Sequence, residues 1–404
     1  MISVDQAHAR IVARFRPLPA EWVMLALGRD RVLADDLVAP RDQPPRAVSA
    51  MDGYAVRAAD LAPGAAEFEV IGEVPAGHAF EGRIGPGEAA RIFTGAPLPD
   101  GADAVAIQEN ARPAAGRRVL IEGALEPGRF VRPAGLDFRA GEVVLPAGHR
   151  LGARDLGLAA AMGRVWLPVR RRPRIGLLAT GDELVLPGEA AAPHQIVSSN
   201  TVALAAMLEV WGAVPLDLGI VRDEPAAFAA AAPRLAGVDL LVTLGGASVG
   251  DRDLVRAALG AEGLELDFWK IAMRPGKPLL FGTFQGTPLL GLPGNPVSAG
   301  VCAVLFIRGV VAAMLGRDPA PPYQPAVLAR ALPANDEREE FLRAGAARDA
   351  DGRLLVTPAT RQDSSMFRTF ALAGCLIRRP AHAPALPAGS RVEVLDLEPG
   401  TVAI

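Results

Sequence analysis

From Arg174 to Leu315 the chain repeats one pattern: a short apolar run, a turn rich in glycine or acid, then a longer apolar stretch at helical spacing. RIGLLAT precedes NTVALAAMLEVWG, which Ser198, Ser199 or Asn200 could cap. AVPLDLGIV precedes EPAAFAAAAPRLAG, DLLVTLGG precedes DRDLVRAALG, and TPLLGL precedes PVSAGVCAVLFIRGVVAAML. Strands that alternate with helices predict a parallel, doubly wound α/β sheet. Such a sheet binds ligands outside the carboxyl ends of its strands. Four segments fall there: Thr180-Gly-Asp-Glu183, Val221-Arg-Asp223, the Gly245–Asp251 loop with Asp253, and Gly291-Leu-Pro-Gly-Asn-Pro296. A fifth, Met273-Arg-Pro-Gly-Lys277, follows the strand-like DFWKIAM and is cationic.

The flanking sequence has another texture. SVDQAHARIVARF and AEWVMLALGRD read as two short helices, separated by Pro17 and Pro19. Roughly from residue 40 to 140, short strand-like segments such as EFEVIGEV and RRVLIEG alternate with Gly/Pro turns, which predicts a small all-β domain. Roughly the last 80 residues read the same way, as a small barrel or sandwich. A chain of 404 residues is long enough for two to four domains, at about 100–200 residues each.

Composition excludes several functions. The formal net charge is −3 and no block of like charge occurs, which disfavours nucleic-acid binding through a basic face. Cys302 and Cys375 form no Cys-x-x-Cys pair, so neither a disulfide framework nor a zinc site is expected, and a reducing cytoplasm fits. The stretch from Val297 to Leu315 carries Arg308 and follows a Pro-Gly-Asn-Pro turn; it is expected to be a buried helix, with no membrane contact. No Walker-type loop and no dinucleotide fingerprint opens an α/β unit, and the five histidines lack ligand spacing.

Each strand end has two local readings. The Gly245-Gly246 pair lets backbone amides approach an anion, with Ser248 beside them; a tight strand-to-helix turn capped by Asp251 or Asp253 explains it equally well. Turn chemistry explains Pro293 and Pro296 but does not require Asn295. A helix cap accounts for Asp182, whereas Glu183 needs another reason, and acids facing phosphates commonly hold Mg²⁺. Lys270, Arg274 and Lys277 could form a solvated face, but the Pro-Gly turn between the last two can aim cations at an anion.

SAMDGYAV, RIFTGAPLPDGADAV, GLLATGDEL, SSNT, TLGGASVGDRD, RPGKP and GLPGNPVS occur in this order. With these motifs the chain resembles the MoeA-type molybdopterin molybdenumtransferases and the related domain of gephyrin. The resemblance implies a multidomain α/β plus β fold. An α/β molybdopterin-binding domain would comprise residues 1–20 and 172–322, and an elongated linking domain 21–39 and 141–171. A first β domain would span 40–140 and a C-terminal barrel-like domain 323–404. It also implies a head-to-tail homodimer.

The same resemblance implies site residues. Asp52, Thr94, Glu183, Asp223 and Asp253 would be catalytic, with Glu183 and Asp223 as metal ligands. Asp137, Gly245, Gly246, Ser248, Lys270, Arg274, Lys277, Pro293, Asn295, Pro296 and Arg343 would bind substrate. Arg274 stands where many relatives have lysine. Gln362-Asp363-Ser364 replaces Gln-Gly-Ser, leaving open whether Ser364, Ser365 or Thr369 faces the site. The implied reaction is insertion of molybdate into adenylylated molybdopterin with Mg²⁺-dependent release of AMP. Partners would include a molybdopterin adenylyltransferase and molybdoenzyme maturation proteins. Adenylyltransferase activity and a non-catalytic gephyrin-like scaffold are the alternatives. Gly245-Gly-Ala-Ser in place of Gly-Gly-Thr-Gly argues against the first, and intact acids against the second.

Overall fold

The computed structural model describes residues 1–61, 64–222, 232–245 and 263–397. The chain forms two compact units, one of 1–34, 148–153 and 167–404, the other of 35–147 and 154–166. Asp223, Gly246, Ser248, Asp251 and Asp253 lie outside the described residues, as do most of EPAAFAAAAPRLAG and all of DRDLVRAALG.

The larger unit is built on a six-stranded sheet. Its strands are β1 Arg174–Thr180, β2 Val214–Val221, β3 Leu240–Leu244, β4 Leu264–Trp269, β5 Leu280–Phe284 and β6 Thr287–Leu292, in the order β2-β1-β3-β6-β5-β4. β2, β1, β3 and β6 are mutually parallel, as the alternation predicts. β3 is buried along its whole length and β1 is exposed only at Arg174, as expected of strands covered on both faces. β5 and β6 form an antiparallel hairpin, and β4 pairs antiparallel with β5, so the sheet is mixed at one edge.

Among the described residues three helices pack on this sheet. α1, Val4–Val12, begins with a capping box in which Ser3 and Gln6 bond reciprocally, and it buries Val4, Ala7 and Ile11. α2 is Asn200–Trp211, and α3 runs over Pro296–Met314 through a π-helical segment at Ala303–Ile307. α3 is long and apolar enough to cross a membrane, but 83% of it is buried inside the protein.

AEWVMLALGRD does not form the expected helix. Ala20–Met24 is a strand, followed by a 3₁₀ turn at Leu25–Leu27. It pairs with Trp166–Arg170, far along the chain. Trp and Val suit a strand, and cross-strand hydrogen bonds override an apolar spacing that also fits a helix. The last domain is a closed ring of five strands: Tyr323–Leu328, Glu339–Arg348, Leu354–Pro358, Cys375–Arg379 and Arg391–Asp396. Met273–Arg274 adds to it in parallel beside Glu339 and Glu340, tying the RPGK turn to the barrel.

The smaller unit holds a six-stranded sheet of its own, in which Gly53–Val56 lies between Glu88–Ile92 and Ala104–Ile107. A Cβ on Gly53 would stand 1.9 Å from the carbonyl oxygen of Ala106, so the glycine of MDGYA is a packing requirement. Gly53→Ala is expected to destabilise this unit by about 3 kcal/mol, because backbone cannot yield as a side chain can. Urea unfolding followed by Trp166 fluorescence checks this; an unchanged midpoint contradicts it.

Candidate active site

Register places the motifs of the larger unit at one sheet edge. β1 ends at Thr180, β3 at Leu244 and β6 at Leu292, all at carboxyl ends. Gly245 N–H donates to the Leu292 carbonyl at 3.1 Å, and Gly181 N–H to that of Val221 at 3.3 Å. Gly245 has φ +105°, and a Cβ there would lie 2.5 Å from the Thr180 carbonyl oxygen. The Thr180 hydroxyl is buried without a hydrogen-bond partner among the described residues. Asn200, at the start of α2, donates from Nδ2 to the Gly294 carbonyl at 2.7 Å, joining SSNT to GLPGNP.

The GLPGNP loop reaches the barrel. Pro296 opens α3 and Asn295 precedes it, its Nδ2 3.1 Å from the Ser364 hydroxyl. Val297 N–H donates to the Ser364 carbonyl at 3.2 Å. Ser364 is thus the hydroxyl that meets this loop. The Ser365 hydroxyl instead donates to Asp363 Oδ1 at 2.6 Å. That bond and the Ser365 N–H hold the Asp363 carboxyl below its ordinary pKa. Arg343, 1% exposed, underlies the turn: its Nη2 donates to the Asp363 carbonyl at 3.1 Å. Burial lowers the Arg343 pKa, and its Nε has no partner.

The three expected cations differ. Trp269 pairs with Leu280 and Leu280 with Gly291, so Lys270 and Lys277 flank the carboxyl edge. Lys270 Nζ stands 3.5 Å from the centroid of the Trp269 ring. The Lys277 side chain has no hydrogen bond or ion pair to a described residue. Gly276, before it, packs on Met273 and the buried Cys302, whose thiol pKa burial pushes up. Arg274 is engaged by Glu340 at 2.7 Å and Asp336 at 3.1 Å. Its fork therefore holds the barrel's carboxylates.

Glu183 is exposed, and its carboxylate makes no hydrogen bond or ion pair to a described residue. It folds back over Gly181, where a Cβ would meet Glu183 Oε2 at 2.6 Å. Among the described residues no cluster of three metal-ligating side chains occurs.

In the smaller unit, Asp52 Oδ1 accepts from both the N–H and the hydroxyl of Thr94, each at 2.8 Å. Asp137 lines a groove of about 750 Å³ with Arg46, Arg132 and Gly95, next to Thr94. The two arginines escaped the motif reading because neither belongs to a motif at the carboxyl ends of the parallel sheet. The bond from the Thr94 N–H, then that from its hydroxyl, lowers the Asp52 pKa. A depressed carboxyl contributes stability that is present above its unfolded pKa and lost as pH falls through its folded pKa. Thr94→Val is therefore expected to raise the Asp52 pKa towards the ordinary carboxylate value, read by carboxyl-carbon NMR. An unmoved titration would show that the hydroxyl bond does not matter.

This fold and site define a multidomain α/β protein whose sheet edge gathers the Gly245 backbone, Glu183 and Lys277, the last two without side-chain partners among the described residues. Residues 2–163 match the MoeA N-terminal region (domain I and II). Residues 176–313 match a probable molybdopterin binding domain, and 325–397 the MoeA C-terminal region (domain IV). The chain is 37% identical to molybdopterin molybdenumtransferase 2 of Mycobacterium tuberculosis, over 97% of this chain and 99% of that one. It is 33% identical to the molybdopterin molybdenumtransferase of Haemophilus influenzae, over 93% and 94%. The crystal structure of a molybdopterin biosynthesis MoeA protein from Pyrococcus horikosii superposes with TM-score 0.87 at 31% identity, covering 98% of this chain and 99% of that one. The chain belongs to the MoeA family.

Proposed function

We propose that this chain is a molybdopterin molybdenumtransferase: it inserts molybdate into adenylylated molybdopterin and releases AMP. The observation that carries the reading is the convergence of Thr180, Gly245, Asn295 and Ser364 at one sheet edge, flanked by Lys277. The relatives are named for molybdenum transfer to molybdopterin; the adenylate and AMP belong to this proposal, and the charges of that reaction explain the residues. Molybdate is a dianion and the adenylate carries a pyrophosphate; both repel a nucleophile until cations gather them. Lys277, without a side-chain partner among the described residues, takes the oxyanion in this scheme, and Lys270, held against Trp269, adds a second charge. Backbone at Gly245 and Gly246, with Ser248 and the Pro293–Pro296 loop, receives the phosphates. Arg343 holds the Ser364 turn from beneath.

Mg²⁺ fits this edge. The Glu183 carboxylate and the Thr180 hydroxyl, without partners among the described residues, are hard oxygen donors, the kind that ion takes. Glu183 and Asp223 are the proposed ligands, and bound Mg²⁺ would neutralise pyrophosphate charge. Asp52, Thr94, Asp137 and Asp253 complete the proposed set.

The test is incubation with molybdopterin adenylate, Mg²⁺ and molybdate. AMP and active cofactor should appear together. Release of pyrophosphate from ATP instead would make the chain an adenylyltransferase, and no turnover would leave a scaffold. Lys277→Ala is expected to raise the molybdate concentration for half-maximal rate about tenfold or more while changing adenylate affinity little. Equal effects on both substrates would put the lysine on the phosphates.

A homodimer is part of the proposal. Leu186, Ile196, Val197 and, on α2, Val202 are exposed on the larger unit, which suits burial against a second copy. Light scattering should give twice the 42.1 kDa chain mass.

A further inference from the structure

The larger unit contains a second concavity that the proposed reaction leaves unused. It has a volume of about 550 Å³ and lies between α2, the later turns of α3 and a short helix, α4, Phe367–Ala371. α2 runs back from the carboxyl edge to deliver the chain into β2, and α3 starts at that edge and runs away from it. The C-terminal turns of both helices therefore stand at the opposite end of the sheet from Thr180 and Gly245.

The cavity walls are aromatic and apolar, with Trp211, Phe367 and Phe370 among them. The two phenylalanine rings stack with centroids 6.2 Å apart. Three guanidiniums share this wall, from Arg150, Arg308 and Arg317, with one carboxylate, Asp396. Arg150 is satisfied, donating to Asp30 at 3.0 Å and to the Val210 carbonyl at 3.2 Å. Arg308 and Arg317 form no side-chain hydrogen bond or salt bridge with a described residue, and Arg308 Nη2 is buried without a partner. Burial lowers the pKa of both, and Arg150 lowers that of Arg317 further by repulsion. Asp396 offsets part of this at Arg308. An arginine stays protonated regardless, so positive charge only partly offset by Asp396 is held beside aromatic rings.

Arginines near helix C-termini often answer the helix dipole. Arg150 does so through Val210. No comparable bond is made by the Arg308 or Arg317 side chain, so the dipole does not explain them. A cavity of this size falls within the range of small-molecule sites, about 300–1,000 Å³ with apolar walls and a few polar groups.

We propose that this cavity binds a small amphiphilic anion: a flat apolar body against Trp211 and Phe367, with one carboxylate, sulfonate or phosphate head on Arg308 and Arg317. Ring stacking selects the body, and the unpaired guanidiniums select the head.

Anilinonaphthalene sulfonate is a fluorescent probe of this chemistry, and phenylnaphthylamine is its neutral counterpart. The full chain should bind the sulfonate saturably at one site per chain, and the neutral probe about tenfold more weakly. Arg317→Gln should weaken the sulfonate about tenfold and leave the neutral probe unchanged. Ala371→Trp, which fills the cavity from its rim, should remove binding of both. Neither substitution touches the proposed reaction site, so AMP release should persist in both variants and report that they fold. Equal affinity for the charged and neutral probes, unchanged binding in both variants, or no saturable binding would each overturn the proposal.

Discussion

Glu183→Gln is expected to leave the unfolding midpoint unchanged and to slow AMP release about 10²–10³-fold. Its carboxylate lies exposed at a strand end without a partner among the described residues, so the fold draws little from its charge. Gln has nearly the same shape and keeps one oxygen, but it loses the charge that would hold a divalent cation against a pyrophosphate. The loss should therefore concentrate in kcat and in the Mg²⁺ requirement. Two readouts separate the explanations. If added Mg²⁺ partly restores the rate, the residue serves the metal. If the rate stays low at every Mg²⁺ concentration, Glu183 acts directly on the substrate. A variant that releases AMP at the unmodified rate removes Glu183 from the site.

The sequence made the central sheet legible because its parallel strands are buried on both faces. Runs such as LLVTL and LLATG permit little else when a helical pattern follows each. The edge was less legible. Whether a strand next to β6 runs parallel depends on the length of the connection, and TPLLGL follows β5 by a short turn without a helix. Ala20–Met24 was misleading for a different reason: its partner strand lies more than a hundred residues away, and only that pairing decides between helix and strand.

For the site, the motifs marked strand ends, and those ends meet as a parallel sheet requires. Long-range pairings were hidden. Nothing near Asn295 announces Ser364, 69 residues later. Asp336 sits in the run NDEREE, which reads as a solvated face, yet with Glu340 it occupies Arg274. A cation's chemistry can be inferred from its type and turn, but whether it is free depends on acids supplied by another domain.

The two glycines at the sheet edge should respond very differently to the same substitution. Gly245 has φ +105° and would place a Cβ 2.5 Å from the Thr180 carbonyl oxygen. Alanine there meets two independent costs, an unfavourable backbone region and a clash with a carbonyl fixed in β1. Neither relaxes easily, because Gly245 N–H is also bonded to the Leu292 carbonyl. Gly245→Ala should cost about 3 kcal/mol of stability and most of the turnover, since moving Gly245 shifts the junction of β1, β3 and β6. At Gly294 the nearest atom to an added Cβ is the Gly245 Cα, at 3.6 Å, an ordinary contact. Gly294→Ala should cost less than about 1 kcal/mol. Its effect on AMP release then reports how closely the substrate approaches that loop, separately from folding. Denaturant unfolding of both variants, beside their AMP release, checks the pair. Equal midpoints for the two would mean that the β1–β3 junction is not the rigid support of the site, whatever either variant does to activity.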